Sequence, residues 1–206
     1  MLTSYLATVL LIELTPGPNM AYLAALTLGS GRRAGLAAVA GVALGLTLIG
    51  AAAAMGFAAL VATNPVIWNA LRWAGTAYLF YLAWETWRGD AETSPAGTPS
   101  PGQSGTRHFR RGLITNVLNP KAALFYVAIV PRFVPEEGAN LGYGLALTAI
   151  SVAVATAVHL AIVLLAARLH PLLKQPGRMA HARHFLAIGL GIIALWFLFN
   201  SAAPSG

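Results

Sequence analysis

The chain contains no cysteine. Disulfides, thiol nucleophiles and cysteine-ligated metals are therefore excluded. Charge is scarce as well. Only 9% of the 206 residues are Asp, Glu, Lys or Arg, where a soluble domain carries about a quarter. Apolar residues make up 57%, and the mean hydropathy is +0.69. The whole chain thus reads as an all-α integral membrane protein. No phosphate-binding loop of the GxxxxGKS or GxxxxGKT type is present, so ATP drive would need a separate subunit. No basic residue precedes Arg32, which leaves the first apolar run without the cationic start of a cleavable signal peptide. That run is expected to stay as a span. The net charge of +7 does not point to nucleic acid, because most basic residues fall between apolar runs and set topology there.

A hydrocarbon core needs roughly 20 apolar residues as helix. Residues 2–28, 34–62, 66–87, 113–134, 141–167 and 185–200 meet or approach this, and the last helix can begin near Ala180. Between the third and fourth spans, the Pro-, Gly- and Ser-rich stretch 89–106 reads as a flexible cytoplasmic linker. It separates a first three-helix half (1–88) from a second (107–206). Three connecting segments carry the basic residues. The first has Arg32 and Arg33; the second has Arg88, Arg107, Arg110 and Arg111; the third has Arg168, Lys174, Arg178 and Arg183. The opposite loops hold Arg132. The positive-inside rule places the three basic segments in the cytoplasm and both termini outside. An odd number of spans per half makes the two halves inverted.

The first span of each half is interrupted. Glu13-Leu14-Thr15-Pro16-Gly17-Pro18-Asn19 breaks one, and Asn119-Pro120-Lys121 breaks the other. Proline has no N–H to donate and clashes with the preceding turn. Gly17 permits dihedrals that other residues avoid. In a membrane, broken backbone survives only inside protein or along a watery cavity. Broken helices at matching positions of inverted halves mark a midplane transport site.

The same residues closely resemble the LysE/RhtB (resistance to homoserine/threonine) family of amino-acid exporters. Thr15-Pro16-Gly17-Pro18-Asn19 looks like its first-helix signature, and Gly31-Arg32-Arg33-Ala34-Gly35 like its first cytoplasmic loop. The stretch from Leu71 to Leu79 is similar to its third-helix motif. Phe109-Arg110-Arg111-Gly112-Leu113, Asn116 and Asn119-Pro120-Lys121 are similar to its second signature, and Pro131-Arg132-Phe133 follows as in the family. The resemblance covers nearly the whole chain. It implies a multi-pass carrier of the bacterial inner membrane that expels amino acids or derivatives using the proton gradient. Many relatives carry an aspartate in the second span and another in the fifth. Here residues 41–46 and the fifth span hold no acid.

The site residues follow from the breaks. A zwitterion needs one place for its carboxylate and one for its ammonium. The half-helices starting at Asn19 and at Lys121 offer positive dipole ends for a carboxylate. Lys121 can attract that carboxylate, neutralise Glu13 or snorkel. Asn19 and Asn119 can cap their half-helices, and Asn116 can reach a carbonyl freed by Pro120. Together with Thr15, Pro16, Gly17 and Pro18, these residues form the candidate substrate site. Glu13, an acid within a span, can hold the ammonium or a proton, or pair with Lys121. His159 is a second proton-coupling candidate, with a neutral hydrogen-bonded histidine as the plainer reading. No second ligand stands at i+3 or i+4 from it, so no metal is expected there, and no cofactor either.

Other positions read as structural. Glu85 stands three residues from Arg88, as in an interfacial salt bridge. Arg72 lies beside Trp68 and Trp73 as an interfacial residue, and Tyr78 and Tyr81 can line a cavity. Gly41 and Gly45 let helix backbones approach, either between the halves or between two copies in a homodimer.

The leading expectation is a secondary carrier, not an enzyme, exporting small, neutral amino acids with protons. A cation exporter has few intramembrane carboxylates to work with. An intramembrane enzyme would need a pair such as Ser151 and His159, which stand about 12 Å apart along one helix. A packing scaffold leaves the two polar breaks unexplained.

Overall fold

The computed structural model describes residues 1–57, 64–88, 101–135, 141–173 and 176–200, and these contain helices and no strand. Helix α1 (Leu2–Leu14) and helix α2 (Pro18–Ser30) form a pair bent by 53°. Helix α3 (Arg32–Ala52) runs into a wide turn, Ala53–Phe57. Helix α4 is Pro65–Arg88. Helix α5 (Pro101–Val117) meets helix α6 (Pro120–Leu124) at the second break. A wide turn (Phe125–Ile129) and a tight one (Val130–Phe133) extend α6, and this pair is bent by 51°. Helix α7 (Leu141–Leu169) and helix α8 (Pro176–Asn200) complete the chain.

Both interruptions fall where the prolines require them. Thr15, ahead of Pro16, is extended, as the residue before a proline prefers. Pro18 then opens α2, and Pro120 opens α6 behind the extended Asn119. Gly17 is also extended, at φ −161 and ψ 179. Any residue adopts that conformation, so unusual dihedrals are not what glycine supplies here. It supplies room: a Cβ on Gly17 would stand 3.1 Å from Lys121 Cδ. The positive φ of +83 belongs to Gly31, where α2 turns into α3.

The segment from Arg32 to Gly56 and helix α7 are each long and apolar enough to cross a membrane, and up to four spans result if each bent pair is one. Among the described residues α4, with Arg72, Glu85 and Arg88, and α8, whose apolar stretch is Ala180–Trp196, fall short of that combination of length and apolarity. The expected linker also differs in part. Residues 101–106 are the first turns of α5, and 89–100 lie outside the described residues.

Helix α3 is central, packed on α2, α5 and α7; α4 lies along α8, and α1 along α7. Glycine sets the α3–α5 crossing. A Cβ on Gly41 would meet the Phe109 carbonyl oxygen at 2.0 Å, and one on Gly112 the Ala38 carbonyl oxygen at 2.2 Å. Gly41 and Gly45 therefore pack α3 on α5. One core cluster gathers around Leu23, Ala38, Val39 and Val163, and another around Tyr5, Val42, Leu46 and Tyr126. Large apolar side chains such as Leu11, Leu165, Phe185 and Phe199 point outward, as a lipid-facing surface requires.

Candidate functional site

The two breaks meet. Lys121 Nζ donates a hydrogen bond to the Thr15 carbonyl oxygen at 2.6 Å. The last carbonyls of α1 lack intrahelical partners and form the negative end of its dipole, so an ammonium belongs there. Asn119 Oδ1 accepts from the Lys121 backbone N–H at 3.0 Å and caps α6. By contrast, no side chain caps the first turn of α2.

A second tie joins the broken segments at their cores. Asn19 Nδ2 donates to Asn116 Oδ1 at 2.8 Å, with both residues buried. Asn19 Oδ1 and Asn116 Nδ2 have no hydrogen-bond partner among the described residues. Buried polar atoms in that condition are costly and call for a partner such as an ordered water or a polar ligand.

Glu13, from α1, and His159, from α7, face each other across the same space, with Oε2 and Nε2 3.7 Å apart. That is within ion-pair range and beyond hydrogen-bond length. His159 Nδ1 is buried without a hydrogen-bond partner among the described residues. Glu13 also lies within electrostatic reach of Lys121.

Glu13, Gly17, Asn19, Asn119, Lys121 and His159 thus line one cleft. Its enclosed room is about 20 Å³, enough for a water and far less than an amino acid. The other expected residues take different places. Asn116 stands behind Asn19. Thr15 is exposed, and its hydroxyl donates to the Leu11 carbonyl oxygen at 3.0 Å, so it serves the cleft through its backbone. Pro16 is exposed, Pro18 is buried in the first turn of α2, and Pro120 opens α6. The apolar walls, Ile12, Met20, Leu46 and Phe125, are the part that motif reasoning passes over. Phe125 was findable, since it follows Lys121 by four residues on one helical face.

Two further pairings join distant segments of the chain. Ser151 does not look toward His159. Its hydroxyl contacts the phenol of Tyr5, which also donates to the Leu147 carbonyl oxygen at 3.0 Å. Tyr5–Ser151 and Glu13–His159 share one sequence offset because α1 and α7 run side by side in parallel. Glu85 does not pair with Arg88. Its carboxylate takes Arg107 at 2.9 Å and Arg111 at closer range, while Arg88 lies over the Trp84 ring at 4.2 Å. Attraction between chain-distant charges outweighs the i,i+3 pair because α5 brings two guanidiniums to one carboxylate.

Residues 10–201 match the family described as LysE type translocator. The chain belongs to the LysE family. The homoserine/homoserine lactone efflux protein of Salmonella typhimurium (strain LT2) is 30% identical over 176 residues, which is 85% of each chain. The leucine efflux protein of Salmonella choleraesuis (strain SC-B67) is 30% identical over 169 residues, 79% of this chain and 76% of that one. No solved structure matches the chain. As a LysE-type translocator with several apolar helices, it is a multi-pass membrane protein. Its cleft offers a lysine, an uncapped helix start, a carboxylate and a histidine within one small volume.

Proposed function

We propose that this LysE-type translocator is a secondary carrier. It exports small neutral amino acids or close derivatives across the bacterial inner membrane, with protons moving the other way. The observation that carries this reading is the Lys121–Thr15 bond, which brings the two proline breaks to one cleft beside Glu13. Bound there, the substrate ammonium faces Glu13 and the carbonyl end of α1. The carboxylate faces Lys121 and the uncapped start of α2. One acid and one lysine balance a zwitterion; a second cationic group on the substrate would go unpaired, at high cost in a membrane. The names of the two relatives support an amino-acid cargo.

The cleft is too small for that cargo in this conformation, so transport requires the Lys121–Thr15 tie to part. The carboxylate replaces the Thr15 carbonyl as the partner of Lys121. The proton that exchanges with the substrate resides on Glu13 or His159. Six membrane passes in two inverted halves suit this cycle, with α4 and α8 as the third span of each half. The packing pattern supports it: α3 crosses the broken helix of the second half, and α7 crosses that of the first.

Purified protein in proteoliposomes loaded with mixed amino acids tests the proposal. Native protein is expected to release a selected group of them, faster with an imposed proton gradient. Lys121→Gln removes a charge-assisted hydrogen bond and lowers efflux at sub-saturating substrate about tenfold or more. Absence of amino-acid efflux by well-folded native protein would overturn the reading.

A further inference from the structure

A second cavity of about 590 Å³ opens between α4 and α5, at the basic end of the bundle. One wall is arginine: Arg107, Arg110 and Arg111. The other is tyrosine: Tyr78 and Tyr81, stacked with ring centroids 5.9 Å apart. Glu85 clamps Arg107 and Arg111. Arg110 is exposed and makes no ion pair among the described residues.

We infer that this groove is a loading site for the substrate carboxylate before it reaches the central cleft. The inference rests on the exporter reading. The cluster already holds one carboxylate, that of Glu85, so the geometry for carboxylate recognition is present. Three guanidiniums against one acid leave positive charge to attract another anion. The tyrosine faces suit the ammonium or the apolar side chain of the same molecule. The groove also adjoins the cleft. Tyr22 follows Asn19 by three residues on α2, is buried, and lies within electrostatic reach of Tyr78, Arg111 and Glu85. Its hydroxyl has no hydrogen-bond partner among the described residues. On α5, Arg111 and Asn116 are little more than one turn apart. Tyr22 therefore lies near the groove and about one turn from Asn19 along α2.

Side-specific kinetics test this. Labelled L-leucine or L-homoserine is offered to inside-out vesicles, where the basic end faces the bath, and to right-side-out vesicles. Arg110→Gln is expected to raise the KM at the basic end about three- to fivefold, the scale of one half-exposed ion pair. The maximal rate from the basic end stays as in native protein, and Arg110→Lys restores most of the loss. Glu85→Gln frees two guanidiniums and lowers the KM at the basic end. An unchanged KM at both faces in Arg110→Gln would overturn the groove and leave the exporter reading intact. No movement of either amino acid by native protein would remove both. Reconstitution with and without phosphatidylglycerol identifies the occupant. An Arg110→Gln effect seen only with that lipid would mean that a lipid headgroup fills the groove, and would sink the proposal.

Discussion

Replacing Gly41 with alanine tests the contact on which the cleft is built. The new Cβ would lie 2.0 Å from the Phe109 carbonyl oxygen and 2.8 Å from the Leu113 nitrogen. Ordinary contact begins at 3.4 Å, so α3 and α5 must separate by about 1.4 Å. Backbone atoms cannot rotate away as a side chain does. Separation also loosens Gly112 on Ala38 and Gly45 on Asn116, since all three contacts lie on one crossing. Overpacking of this kind costs about 1–3 kcal/mol. Alanine in a helix returns up to about 1 kcal/mol over glycine. With backbone as the obstacle the upper part of that range applies, and the net expectation is a loss of about 2 kcal/mol. Gly189→Ala on α8 is the internal control, because its Cβ would meet nothing within 4 Å and should leave stability unchanged or slightly higher. Thermal unfolding of both purified variants in one detergent decides the matter. If Gly41→Ala is as stable as Gly189→Ala, α3 and α5 do not cross as described.

The Asn19–Asn116 bond should appear in a double-mutant cycle of alanine variants as a coupling of about 0.6 kcal/mol, and no more than about 1.7; zero coupling in unfolding measurements would refute it. Tyr5→Phe removes the tie to Leu147 and Ser151 and should cost about 1 kcal/mol of stability. Because Tyr5 is two turns from Glu13, the order of preferred amino acids in an efflux competition should not change. His159→Gln keeps a polar side chain opposite Glu13. It is expected to preserve downhill efflux and to weaken the acceleration by a proton gradient, read as the ratio of the two rates.

Much of this was legible in the residues. Pro16, Pro18 and Pro120 fixed both breaks because proline leaves the helix little choice. The basic segments and long apolar runs declared a membrane protein. The local rules failed where distant chain segments compete. Glu85 had Arg88 one turn away, yet two arginines from α5 claim it. Ser151 and His159 stand too far apart on one helix to pair, and each finds on α1 a partner that helical spacing could not name. Gly17 was assigned by its dihedral freedom, and what the site uses is its missing side chain. Helical period reveals neighbours along one helix; it carries no information on which helix lies opposite.

The central claim, that the meeting of the two breaks is where substrate binds, is tested most directly by protection of a single cysteine. The chain has none, so Met20→Cys places one thiol in the cleft. Ser4→Cys, exposed near the start of α1, is the control. Labelling with a small thiol reagent is followed with and without each amino acid. Transported amino acids should slow labelling at position 20, in the order of their efflux rates, and leave position 4 unchanged. Labelling at position 20 that no transported amino acid slows would contradict the central claim.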